Sequence, residues 1–256
     1  MFSTIFIGHG SPMNAIEENS FTKGWKKIAN LIGKPKGIVC ISAHWVTKDT
    51  KLLNVDKPKT IYDFYGFPKA LYNIKYDVPE TSKLKEIVHK ELEGIAILDS
   101  TWGLDHGTWS VLNVMYPDAD IPVIQISLDH YLSEEEHFSI GKKLRKLREK
   151  DILILGSGNV VHNLGIADIG FKGGYDFSHK FDDYIYDNII NRNFDKVINY
   201  KELGNIVKYS VPTTEHFDPL LYVLGAVDEN DKIEVFNKEF FAGSVSMTSY
   251  VFSSKS

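Results

Sequence analysis

Histidine carries most of the chemical possibility in this sequence. Of its nine histidines, five sit in short turn-like contexts: His9 in IFIGHGSP, His44 in CISAHWV, His106 in GLDHGTW, His162 in LGSGNVVHNLG and His216 in PTTEHFDP. Imidazole titrates near neutrality and binds first-row metals through one ring nitrogen, so residues of this kind are candidate ligands or acid/base groups. Three neutral imidazoles around a divalent ion leave positions open for water or substrate, as a catalytic site requires. Two more exceed that need and are free to orient reactants or move protons. The small neighbours Gly8, Gly10, Ser42, Ala43, Gly107, Gly156 and Gly158 let backbone and substrate approach such ligands closely. The other four, His89, His130, His137 and His179, lie in or beside charged helical stretches such as EIVHKELE and EEEHFS, where solvated histidines are expected.

Elements of alternating type must hold these residues. Short apolar runs at Thr4 to Ile7, Gly37 to Ile41, Leu52 to Val55, Pro122 to Leu128 and Ile152 to Leu155 read as buried strands. Between and after them, helical spacing recurs at Thr22 to Ile32, Ser82 to Leu92, Glu134 to Arg148, Lys180 to Ile190 and Pro219 to Ala226. Ser133 with Glu136 three residues on predicts a capping box for the third of these helices, and its basic end KKLRKLREK reads as a solvated helix terminus. The alternation predicts an α/β fold, with a central, mostly parallel sheet flanked by helices. Lys232 to Phe236 and Ser244 to Phe252 are expected to close it as antiparallel strands, whereas Asn191 to Tyr209 is polar and reads as an irregular insertion or a short helix. His9, His44 and His162 each follow a predicted strand and should gather at the carboxyl edge of the sheet, where open α/β folds place their sites.

Composition narrows the classes. The chain has 256 residues, 43% hydrophobic and 25% charged, with a formal net charge of -5, which suits one soluble domain spanning 1–256. A slightly acidic chain offers no clustered positive charge for nucleic acid or an anionic membrane. MFSTIFIGHGSP lacks the basic region of a signal peptide, and no apolar run is long enough to span a bilayer. The single cysteine, Cys40, cannot form an internal disulfide and reads as a small core residue, which fits a cytoplasmic protein. Familiar motifs fail. The third glycine of a dinucleotide fingerprint falls on Met13 after Gly8 and Gly10, and on Val161 after Gly156 and Gly158. Ser157 lacks the spacing of a nucleophile elbow, and no CxxC pair or H-E-x-x-H helix is present.

The histidine contexts belong to longer stretches: GHGSPMN, SAHW, IYDFYGFPKALY, LDHGTWSVL, MYPDADIPVIQISL, GSGNVVHNL and EHFDPLLYVLGA. In these, over nearly the whole chain, the sequence resembles the class III extradiol ring-cleaving dioxygenases, and within them the bacterial 4,5-DOPA dioxygenase extradiol group. The resemblance implies one divalent metal held by His9, His44 and His216. It gives His162 a split role, as catalytic acid/base or as a further metal ligand, and makes His106 a catalytic residue that orients substrate or dioxygen. More distant relatives complete their site with a glutamate; here Glu215 competes with His216 for that place, and His216 is favoured. Zn(II) is expected as purified and Fe(II) for turnover.

The activity so implied is cleavage of a DOPA-like catechol by dioxygen to a muconic-semialdehyde-type product. The expected partners are that small substrate and dioxygen, with no nucleic acid and no membrane; oligomeric state is unknown. Two other readings stay open, a zinc-bound hydrolase-like enzyme and a non-enzymatic binding protein on the same fold. Aromatic residues beside the motifs, Trp45, Tyr65, Phe67, Trp109, Tyr175 and Phe217, read singly as core packing rather than as pocket walls.

Overall fold

A computed structural model describes residues 1–254. The chain runs β1 (Thr4–Gly8), α1 (Ser20–Ile32), β2 (Gly37–Thr47), β3 (Lys51–Leu53), α2 (Lys69–Tyr72), α3 (Ser82–Glu91), β4 (Ile97–Asp99), α4 (His106–Met115), β5 (Val123–Asp129) and α5 (Glu134–Leu144). It continues through β6 (Ile152–Gly158), α6 (Asp176–Ile190), α7 (Phe194–Ile198), α8 (Asn205–Ser210), α9 (Asp218–Gly225), β7 (Lys232–Phe236), β8 (Phe240–Phe241), β9 (Val245–Ser246) and β10 (Ser249–Ser253). Eight strands form one sheet in the order β4-β3-β5-β2-β6-β1-β10-β7.

The middle of the sheet, β5-β2-β6-β1, is parallel throughout. Its strands are buried on both faces, which is why they read as continuous apolar runs rather than as alternating ones. One side is filled by residues such as Trp25, Ile28, Trp109 and Leu112 from α1 and α4, another by Leu144, Leu147 and Tyr222 beneath α5 and α9. The C-terminus closes the sheet in antiparallel fashion, with β10 antiparallel to β1 and β7 antiparallel to β10, but the strand expected at Ser244 to Phe252 breaks into β9, which pairs with β8 in a separate two-stranded sheet, and β10. The fold is thus a single α/β domain with a mostly parallel sheet.

Several local expectations are corrected. The strand expected at Leu52 to Val55 is Lys51–Leu53 and lies antiparallel to β5. Helix α4 escapes a periodicity search because nine of its ten residues are buried, leaving no polar face. The capping box at Ser133 forms, but α5 tightens into a 3-10 turn at Arg145–Lys150. Within that turn Arg148 is fully buried rather than solvated, paired through both terminal nitrogens with Asp231 at 2.7 and 2.8 Å. His137 is also no surface residue: it is 2% exposed, with its Nδ1 3.0 Å from the Tyr222 hydroxyl. Asn191 to Tyr209 resolves into α7, α8 and a 3-10 turn between them. No helix among the described residues is long and apolar enough to cross a membrane.

Candidate metal centre and active site

Three neighbouring parallel strands deliver the first residues of the site. Strand β1 ends at Gly8, and His9 follows, its backbone N–H donating to the Gly158 carbonyl at the end of β6. His44 lies within β2, where pairing with β5 shifts register between Ile41 and Val46. An irregularity of this kind bends a strand and re-aims its side chains, so SAHW turns His44 towards His9. His162 follows β6 and bridges to Val245 on β9. The other two histidines come from helix starts. His106 opens α4, capped by the Asp105 carboxylate, which accepts from Thr108 N–H. His216 precedes α9, its carbonyl accepting from Asn159 N–H at 2.8 Å.

All five line one cavity of about 350 Å³ at the carboxyl edge of the sheet. The four remaining histidines do not join them. Close backbone approach makes the gathering possible: a Cβ on Gly158 would sit 2.1 Å from the His216 carbonyl oxygen, and one on Gly107 would sit 2.5 Å from Ser42 Oγ and 2.9 Å from the His44 ring.

Hydrogen bonds set the tautomers of three rings. Ser157 Oγ donates its only proton to the Gly107 carbonyl at 2.5 Å, so towards His9 Nδ1, 3.0 Å away, it can only accept. His9 therefore carries its proton on Nδ1 and presents Nε2 as a lone pair. His216 Nδ1 donates to the Glu215 carboxylate at 3.1 Å, with the same result. His44 Nδ1 faces Asp63 Oδ2 at 3.5 Å, and His106 Nδ1 donates to the same oxygen at 2.8 Å. An imidazole whose distal nitrogen is held by a carboxylate or hydroxyl is the arrangement metal-binding histidines adopt.

Spacing separates the ligand candidates. Three imidazoles bound tetrahedrally to one ion, at about 2.0–2.1 Å from nitrogen, place their ring centres about 5 Å apart. His9–His44, His9–His216 and His44–His216 have centroid separations of 5.0, 5.3 and 5.1 Å. His9 Nε2 and His44 Nε2 lie 3.1 Å apart, as two donors to a common ion would. Other pairs depart from this spacing. His162 stacks on His216 at 3.4 Å with an interplanar angle of 8°; an ion in the plane of one ring would lie well out of the plane of the other. His44 and His106 are only 3.9 Å apart. Potential donor atoms do cluster as His9, His44 and His106, and as His162, Glu215 and His216, within 4.8 Å in each group. In those groups, however, His106 is off the common spacing, 3.9 Å from His44 and 5.8 Å from His9, and Glu215 is engaged in holding His216 Nδ1. The donor set fits a divalent ion: all nitrogen, with the Ser157 hydroxyl behind His9 and the Asp63 and Glu215 carboxylates behind His44 and His216.

Electrostatics agrees with neutral rings. Burial, reinforced by the neighbouring imidazoles, holds His9 and His216 well below the ordinary histidine value. Burial and then His106 lower His44, while burial pushes His162 down to about 4. Asp63 stays below the usual carboxylate range, because hydrogen bonds and charge from His106 outweigh the opposing effect of burial. Beneath it, buried Asp105 accepts from Ser42 Oγ and Gln125 Nε2, both at 2.7 Å, and so ties β2, β5 and α4 together under His106.

Sequence reasoning missed Asp63 and Ser157 as supporting groups. Neither carries a motif of its own, although both lie in family-like stretches, Asp63 in IYDFYGFPKALY and Ser157 in GSGNVVHNL. Of the aromatics singled out, Phe67 lines the cavity, joined by Phe64 and Phe241. Trp45, Trp109 and Phe217 are core residues, and Tyr65 is 93% exposed.

Comparison with known proteins identifies the family. The family described as the catalytic LigB subunit of aromatic ring-opening dioxygenase matches residues 3–253. A protein of Escherichia coli (strain K12) named 4,5-DOPA dioxygenase extradiol is 41% identical over 96% of this chain and 92% of its own length. One of the same name from Beta vulgaris is 36% identical over 98% and 96%. A crystal structure of an uncharacterized protein from Escherichia coli K12 superposes with a TM-score of 0.84 at 35% identity, covering 98% of this chain and 99% of that one. Matched from its third residue to its last strand, the chain belongs to the LigB family of non-haem aromatic ring-opening dioxygenases.

Proposed function

We propose that residues 1–256 act as one catalytic domain that opens the ring of a catechol, DOPA-like in the sense that the named relatives suggest. His9, His44 and His216 would hold one divalent metal, His162 would serve as acid/base, and His106 would orient substrate or dioxygen. The observation that carries this reading is the near-equal spacing of three imidazoles, His9 and His216 hydrogen-bonded at Nδ1 and His44 Nδ1 facing Asp63 at 3.5 Å. When bound, the ion supplies Lewis acidity towards the diol and, if it is iron, a one-electron partner for dioxygen. Fe(II) is the ion we propose for turnover, with Zn(II) as the resting occupant of a three-histidine site.

The chain's own residues account for the rest. His162 is neutral at physiological pH, because its pKa lies near 4. It can therefore accept a catechol proton, and its stacking on His216 fixes the ring at the cavity wall. It would return that proton to the opened product. His106, braced by Asp63, is held edge-on to Phe64 and close to His44. Phe64, Phe67 and Phe241 exclude water and cover the apolar face of the aromatic ring. A buried, unpaired Cys40 is compatible with a reducing cytoplasm.

His162→Ala separates the two roles of that histidine. The variant should keep its metal and lose most turnover in an oxygen-uptake assay on Fe(II)-loaded protein. Loss of metal instead would make His162 a ligand and overturn its assignment as acid/base.

A further inference from the structure

The substituent end of the pocket carries information that the histidine centre does not. Away from the histidines, the cavity wall is apolar, with Pro12, Phe64, Leu164 and Val245 among its residues. Ser11, Phe67, Ile169 and Phe241 line this cavity and also a second compartment of about 290 Å³ beside it. That compartment is bounded further by Asn14, Glu17 and Asn19. It is tied directly to the centre: Asn14 Nδ2 donates to the His9 carbonyl at 3.0 Å, and Asn19 Nδ2 donates to Asn14 Oδ1 at 2.9 Å. Neither compartment is lined by lysine or arginine, and Glu17 is the one carboxylate facing the second. The adjacent Glu18 pairs with Lys23 at 3.4 Å, whereas Glu17 has no cationic partner among the described residues.

We infer that this site sorts catechols by the charge of their side chain, favouring a short chain that ends in an ammonium group over one that ends in a carboxylate. The inference rests on the catechol reading above and deepens it. A catechol seated with its diol at the histidines and its ring against the wall formed by Phe64 and Phe67, which touch edge to face, directs its substituent past Phe67, Ile169 and Phe241 towards Glu17. A carboxylate leaving water for this neck finds no cation to pair with and meets a like charge, which is unfavourable on both counts. An ammonium group finds an acceptor at the end of the path. Glu17 is exposed, so its pull is that of a charge near the surface, moderate and weakened by salt. A zwitterionic amino acid side chain combines both charges and should fall between the two.

The test measures Kd on the Zn(II)-loaded protein by calorimetry, together with kcat/KM on the Fe(II)-loaded protein. The probes are 4-methylcatechol, 3,4-dihydroxyphenethylamine and 3,4-dihydroxyphenylpropanoate. The amine should bind about ten-fold tighter than the carboxylate at low salt. Glu17→Gln should shrink that ratio and Glu17→Lys should invert it. Equal or tighter binding of the carboxylate to the natural sequence, or a ratio that neither variant alters, would overturn the inference while leaving the catechol reading intact. Failure of all three probes to bind or react would overturn both.

Discussion

Asp63 is where the structure makes its most quantitative claim about a residue that touches neither metal nor substrate. Its carboxylate accepts from the His106 ring at 2.8 Å and from the His106 backbone N–H at 2.9 Å, and it faces His44 Nδ1 at 3.5 Å. Asp63→Asn keeps the size of the side chain but turns one acceptor into a donor. The amide oxygen can satisfy the backbone N–H or the ring N–H, and the other is left facing an NH₂ group. Leaving a buried donor unpaired costs about 1–3 kcal/mol. The ring can avoid that cost by moving its proton to Nε2, which places a donor where the cavity otherwise meets a lone pair. Either route should lower kcat/KM at saturating metal by about 10–100-fold. The longer His44 contact should weaken metal affinity by a smaller factor. Chelator competition and oxygen uptake on the same preparation separate the two effects. A variant within a factor of two of the natural protein in both would refute the bracing role of Asp63.

Other expectations follow from the same geometry. Glu215→Gln should retain a full complement of metal with affinity reduced about ten-fold, whereas His216→Ala should lose the metal; the reverse pattern, read by metal analysis after dialysis, would make Glu215 the ligand. Gly158→Ala should fold but fail to hold metal, because the new Cβ would lie 2.1 Å from the His216 carbonyl oxygen; normal metal content would contradict that. Arg148→Ala should destabilise the fold by roughly 3–5 kcal/mol, since it strands buried Asp231 and frees the Phe2 and Ala226 carbonyls. Urea denaturation measures this, and a loss below about 1 kcal/mol would mean the pair contributes little.

The central strands and the five clustered histidines were legible because each depends on local pattern. A buried parallel strand reads as an apolar run, and a histidine set among small residues after such a run points to the sheet edge. What was not legible depends on contacts distant in sequence. His137 sits in EEEHFS like a surface residue, yet α9 brings Tyr222 onto it from 85 residues away. Arg148 belongs to a basic run, and only Asp231 far downstream explains its burial. Asp63 and Ser157 are ordinary residues until folding sets them behind His106 and His9. Helix α4 was hidden for another reason: being buried on all sides, it shows no amphipathic period.

Insertion of dioxygen into a catechol ring at the histidine centre is the chemistry on which everything above depends. Its most direct test is the stoichiometry of oxygen consumption by Fe(II)-loaded protein with a catechol, with hydrogen peroxide measured alongside. One dioxygen should be consumed per catechol, giving a coloured ring-opened product and no peroxide. No uptake, or uptake matched by peroxide with the ring left intact, would contradict it.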